Sequence, residues 1–280
     1  MNLLHNFTSI LKNRNTLLNI IYINVILFIA INLCSAFVFL LKINYDITSL
    51  LGVSPNIKTL SIKPWTIITY MFIHIDFWHI TTNMIWLYFG GSIFIKYLTS
   101  KELWITYILG GIFGGIIFII SFNVFPVFED IKDQSIAIGA SASVLAILSA
   151  SATYIPNLSI NLFGFGDIKL KYIAIIAILI DILSIPQGNS GGHIAHIGGA
   201  LYGYLFISLK NKGFNISHII NNLFFVQKKK KKENRNESDY AYNTRKKEEE
   251  EKLNQILEKI SLSGYDSLSS KEKEELFNKK

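Results

Sequence analysis

Residues 17–41 carry no charged side chain over 25 consecutive positions, and that run restricts the fold more than any other feature of the chain. As a helix rising about 1.5 Å per residue it is long enough to cross a hydrocarbon core of about 30 Å. Asn19, Asn24 and Asn32 within it are polar enough to seek partners on neighbouring helices and read as interhelical packing residues. The rest of the chain agrees, since half of its residues are hydrophobic and its mean hydropathy is +0.36. Such a composition reads as a polytopic membrane protein, with the bilayer as its solvent. Further apolar segments at 78–94, 103–122, 141–154, 172–185 and 193–209 complete six spans and an all-α fold class. Lys12 and Arg14 precede the first run, but no small-residue cleavage pattern follows it, so it is read as a retained span.

Orientation follows from the basic residues beside the spans. With alternate loops placed on opposite sides, Lys12, Arg14, Lys96, Lys101, Lys169, Lys171, Lys210 and Lys212 gather on one side, against Lys42, Lys58, Lys63 and Lys132 on the other. The richer side is read as cytoplasmic, which puts both termini there and places Ser141, His193 and the region of His79 near the outer surface. The net charge of +7 is uneven: from Lys210 onward 17 basic and 12 acidic residues leave +5 in the tail and +2 in the first 209 residues. That excess is a cytoplasmic-side signature, and a nucleic-acid partner is not expected. The expected partners are the lipid bilayer and other membrane-spanning proteins.

The expected organisation is a cytoplasmic N-terminus at 1–16, a six-span domain at 17–209, a basic linker at 210–239 and a small soluble helical tail at 240–280. In the linker, Lys228, Lys229, Lys230, Lys231 and Lys232 form a solvated run, with contact to anionic lipid headgroups as the alternative. In the tail, Leu253, Ile256, Leu257 and Ile260 recur at helical spacing. Gly264 can end that helix, and Ser269 with Glu272 makes a capping-box pattern before Leu276 and Phe277. Cys34 is the single cysteine, which excludes an intrachain disulfide and a cysteine metal site; it reads as a buried, inert thiol.

Three polar groups interrupt the apolar spans. Gly139-Ala140-Ser141 opens the fourth span, where glycine permits a sharp turn and the free N–H groups of a helix start can hold an oxyanion. By itself such a serine is most often a helix cap. It becomes a nucleophile only with a base beside it. The sixth span supplies one in Ala195-His196-Ile197-Gly198-Gly199, while Gly199 and Gly203 form a G-x-x-x-G face that lets another helix approach closely. His79 and Asn83, four residues apart, share a face of the second span. His74 to His79 is not the His-Glu-x-x-His pattern of a metalloprotease helix, so neither a metal nor another cofactor is expected. Asp181 is the one acid inside a span; it reads as an interfacial residue facing a loop or headgroup, with contact to the serine–histidine site as the alternative.

Together, in this order and on these spans, the three groups resemble the rhomboid family of intramembrane serine proteases over roughly residues 64–209. The resemblance implies a six-helix bundle in a bacterial cell membrane, with Ser141 as nucleophile and His196 as general base. His79, Asn83 and the Ser141 backbone N–H would hold the oxyanion, with Gly139 and Gly199 in support. His74 and Trp65 would order the first loop. Ala142 stands where the family often has glycine, and Leu145 where it often has an aromatic that stacks on the base; aliphatic packing is expected there instead. Thr66 follows Trp65 where some members have arginine. The tail resembles an appendage of some bacterial rhomboids. Two competing readings use the same residues: a rhomboid-like fold that binds membrane helices without cleaving them, and a transporter or haem-bearing membrane protein.

Overall fold

The structure, a computed structural model, describes residues 16–43, 46–162, 166–214, 239–269 and 272–273. Lys12, Arg14, the Lys228–Lys232 run, Leu276 and Phe277 lie outside them. The chain divides into two compact units, 1–221 and 222–280.

The first unit is built from helices α1 (Thr16–Leu40), α2 (Phe77–Tyr97), α3 (Ser100–Val124), α4 (Ser141–Tyr154), α5 (Leu170–Ser184) and α6 (Ser190–Asn211). Segments Thr16–Leu40, Ser100–Val124 and Leu170–Gln187 are each long and apolar enough to cross a membrane. The chain is thus an all-α polytopic membrane protein, with one exception that hydropathy does not mark. Between α4 and α5 the chain forms a two-stranded antiparallel hairpin, β1 (Ser159–Leu162) and β2 (Gly166–Lys169), with Ser159 opposite Lys169.

Helix α4 is the centre of this unit. Alanine and serine make up much of it, and its residues from Ala142 to Ala152 are buried except for Leu145, packed most extensively against α6 and then against α3 and α2. Small side chains set this spacing. A β carbon on Gly199 would collide with the Ala142 carbonyl oxygen, and one on Gly203 with that of Ala146, while Gly110 of α3 meets the Ala146 methyl. These helices touch through backbone, which side chains of ordinary size would prevent.

Helix α1 touches the bundle only through its first half, where Leu17, Ile20 and Asn24 are buried. Leu17 packs over Gly91 of α2. Beyond that point Leu33, Phe37 and Phe39 are exposed. Cys34 belongs to this outward part and is exposed, so the expectation of a buried thiol fails.

The connection between α1 and α2 is folded into short helices rather than extended loop. Asp46 caps Ile47–Leu51 and Asn56 caps Ile57–Ile62. The Tyr70 hydroxyl donates to the Gly111 carbonyl at 2.5 Å, and Tyr107 Oη donates to the Met71 carbonyl at 3.1 Å while accepting from Asn24 Nδ2 at 3.0 Å. The connection is thereby tied to α3, and α3 to α1. Since Tyr107 is fully buried, Tyr107→Phe leaves two polar partners unsatisfied and is expected to cost about 1–3 kcal/mol. Thermal unfolding in detergent checks this, and an unchanged midpoint would contradict it.

In the second unit, helix α7 (Asp239–Ser263) ends at Gly264, whose φ of +77° is the left-handed conformation glycine adopts freely. Ile256 and Leu268 are buried within this unit. The Ser269 N–H donates to Glu272 Oε2 at 2.7 Å and the Glu272 N–H to Ser269 Oγ at 3.4 Å, a reciprocal cap. Lys259 Nζ, 2.9 Å from Glu272 Oε1, and the Ser269 groups hold the Glu272 carboxyl down at about 2.

Candidate active site

The turn before α4 is held by the α1–α2 connection. Ala137 pairs with Val53 as an isolated bridge, the Gly139 N–H donates to the Tyr70 carbonyl at 2.9 Å, and the Ala140 N–H donates to His74 Nε2 at 3.3 Å. Gly139 takes φ +112°, which a side chain would strain, and a β carbon there would lie 2.6 Å from His79 Nε2. The glycine therefore serves twice: it makes the turn, and it leaves room for an imidazole against the backbone. Burial, reinforced by the neighbouring His79 ring, lowers the His74 imidazole to about 4, so it is neutral at pH 7 and free to accept from Ala140. Trp65 acts further out in the same connection, donating from Nε1 to the Leu50 carbonyl at 2.9 Å.

Ser141 is the first residue of α4, and its side chain makes no cap; Oγ instead lies 2.5 Å from His196 Nε2. The contact exists because α6 crosses α4 at Gly199, one turn below His196, with backbone against backbone. The other nitrogen of the same ring, Nδ1, donates to Asp181 Oδ1 at 2.8 Å, and His193 Nδ1 donates to the same oxygen at 2.7 Å. His193 and His196 are three residues apart and face one side of α6. Their rings meet edge to face at 5.9 Å.

Asp181 is therefore not an interfacial residue facing headgroups. It is buried on α5 against α6, because a carboxylate among isoleucines and leucines needs donors and the two histidines are the donors in reach. Its position on a helix that is apolar on every side gave no indication of which way it faces. The signal available in the sequence was the pairing itself: one acid within a span, and two histidines at i, i+3 on the next.

His79 and Asn83 lie on α2 across a cavity of about 650 Å³ that Ser141 and His196 also line. The Asp76 carboxylate accepts the His79 N–H at 2.8 Å and so caps α2, and Asn83 Nδ2 donates one bond back to the His79 carbonyl at 2.8 Å. Leu145 lines the same cavity. The structure thus brings Ser141, His196, His79 and Asn83 to one cavity, with Gly139 and Gly199 at its close contacts. His74 and Trp65 stand in the connection that holds the serine turn. For a metal ion, the only grouping among the described residues is Asp181, His193 and His196, whose ligand atoms lie within 4.8 Å of one another. Each is already engaged in the hydrogen bonds given above.

A family model of the rhomboid domain matches residues 62–212. A second, described as a family of unknown function, matches residues 236–278. The chain is 32% identical over 145 residues to RHOMBOID-like protein 12, mitochondrial, of Arabidopsis thaliana. That alignment covers 48% of this chain and 43% of the relative, so the chain spans less than half of the relative's length. The rhomboid match takes in α2 through α6, every element that carries the serine, the imidazole and their partners, and on that ground the chain is an integral membrane protein belonging to the rhomboid family.

Proposed function

We propose that the protein is an intramembrane serine endopeptidase that hydrolyses peptide bonds in or near the membrane-spanning segments of other proteins. The observation that carries this reading is the 2.5 Å contact between Ser141 Oγ and His196 Nε2. His196 takes the hydroxyl proton as Ser141 attacks the carbonyl carbon. The oxyanion that forms is held by the Ser141 backbone N–H at the start of α4, with His79 and Asn83 as side-chain donors across the cavity. His196 then protonates the leaving amine, and water releases the acyl group by the same steps in reverse roles.

The distribution of Lys and Arg supports a multi-pass topology with both termini cytoplasmic, the cavity opening toward the outer face, and the resemblance to bacterial rhomboids implies a bacterial cell membrane. Substrates on this reading are single membrane-spanning helices that unwind to present an extended bond. The basic run Lys228–Lys232 would touch anionic lipid.

The test is cleavage of a single-span model substrate in proteoliposomes by the wild type beside Ser141→Ala. Cleavage by the first and none by the second supports the endopeptidase. Wild type that binds the substrate but leaves it intact would instead indicate a rhomboid-like helix-binding protein. Chelation supplies a further expectation: EDTA treatment leaves the cleavage rate unchanged, because the proposed steps run through protein groups alone. Loss of activity in EDTA that zinc restores would assign the Asp181, His193 and His196 grouping to a metal instead.

A further inference from the structure

A serine–histidine pair is a complete but weak catalytic unit, because nothing charged fixes the imidazole tautomer or offsets the imidazolium that forms. Here a third group is in place. Asp181 Oδ1 accepts from His196 Nδ1 at 2.8 Å, while the opposite nitrogen of that ring meets Ser141 at 2.5 Å. Three helices contribute one group each: α4 the hydroxyl, α6 the imidazole, α5 the carboxylate. We propose that Asp181 is the orienting acid of a Ser141–His196–Asp181 triad, and that His193 holds its carboxylate in register. This rests on the endopeptidase reading and deepens it.

The physical case begins with the placement. Asp181 is 7% exposed on a helix whose neighbouring residues are isoleucine and leucine. A carboxylate in such surroundings is costly and persists where charge-assisted donors offset the loss of water. What the site provides is two imidazole N–H groups on the same oxygen, one of them from the ring that faces the serine. Donation from Nδ1 leaves the lone pair of His196 on Nε2, aimed at the Ser141 hydroxyl, so the tautomer required of a general base is the one the carboxylate selects. When the serine proton moves to Nε2, the cation forms next to an anion in a low-dielectric setting, where the attraction is far stronger than in water. His193 accounts for the stability of this geometry. Its bond to Oδ1 at 2.7 Å, from a ring edge-on to His196, limits rotation of the carboxylate about its own side chain.

Asp181 touches no substrate atom and acts through His196, so it is a positioning residue. The experiment compares full-length wild type, Asp181→Asn, His193→Ala and Ser141→Ala in detergent, measuring kcat and KM on a single-span substrate, the rate of labelling by a fluorophosphonate, and the unfolding midpoint. Asparagine keeps the shape but can present an N–H to His196 and favour the wrong tautomer. Its expected effect is a fall in kcat of about 10³-fold with KM within about threefold, and a parallel fall in labelling rate. His193→Ala is expected to lower kcat by about tenfold, again with little change in KM, since it loosens the carboxylate without removing it. Should Asp181→Asn not accumulate as folded protein, Asp181→Ala with and without added formate takes its place. A rate that formate raises at least tenfold supports the triad, and a rate indifferent to formate overturns it. Asp181→Asn that retains kcat and labelling within threefold also overturns the triad, and leaves the endopeptidase standing if wild type still labels and Ser141→Ala does not. Wild type without Ser141-dependent labelling sinks the endopeptidase reading itself, and the triad with it.

Discussion

Replacing Ser141 with alanine is expected to abolish cleavage of a membrane-spanning substrate and to leave the bundle folded. The side chain removed is small and lies at the edge of the cavity, with its one described bond to His196 Nε2. Its loss takes away the nucleophile and disturbs no packed surface. Removing a nucleophile whose base and oxyanion donors act as a unit lowers kcat by about 10⁴–10⁶-fold. Members of such a unit are not additive, so His196→Ala alone and the Ser141→Ala, His196→Ala double variant are both expected near the same floor. Turnover by purified protein checks this, with the unfolding midpoint of each variant as the control for folding. A double variant far below either single one would mean that the two side chains work independently.

The second large effect is expected at a residue with no chemistry of its own. Gly199→Val should eliminate detectable cleavage and destabilise the bundle by about 3 kcal/mol, at the upper end of what overpacking costs. The position of its missing β carbon is occupied by the carbonyl group of Ala142, which is backbone and cannot rotate away. Helices α4 and α6 must therefore separate, and Ser141 and His196 sit on those two helices, one at the start of α4 and one a turn above the contact. A displacement of about 1 Å between reacting groups is enough to cost about 10²-fold. Near-native activity in Gly199→Val would show that the close helix crossing does not set the site.

How far the sequence reached depended on the kind of information each feature carries. Long apolar runs mark helices wherever they occur, so the segments of α1 to α6 were legible one by one, and three of them are long and apolar enough to cross a membrane. Gly139, Ser141, His196 and Gly199 were legible because each belongs to a short local pattern with a physical reason for its spacing. The hairpin β1–β2 was not, since two four-residue strands between spans leave no hydropathy signal. Cys34 was misread for a related reason: hydropathy does not mark where along its length a helix leaves its neighbours, and burial depends on that. Asp181 fell to the same ambiguity on α5. The bonds from Ala137, Gly139 and Ala140 to the α1–α2 connection join residues more than sixty positions apart, and no local pattern encodes such pairings.

The central claim is that Ser141 is an activated nucleophile. It is tested most directly by treating the intact, detergent-solubilised protein with a fluorophosphonate and mapping the adduct by peptide mass spectrometry. A single phosphonyl group on the Ser141 hydroxyl, absent from His196→Ala protein under the same conditions, is the predicted result. An unmodified Ser141, or equal modification with and without His196, would contradict it.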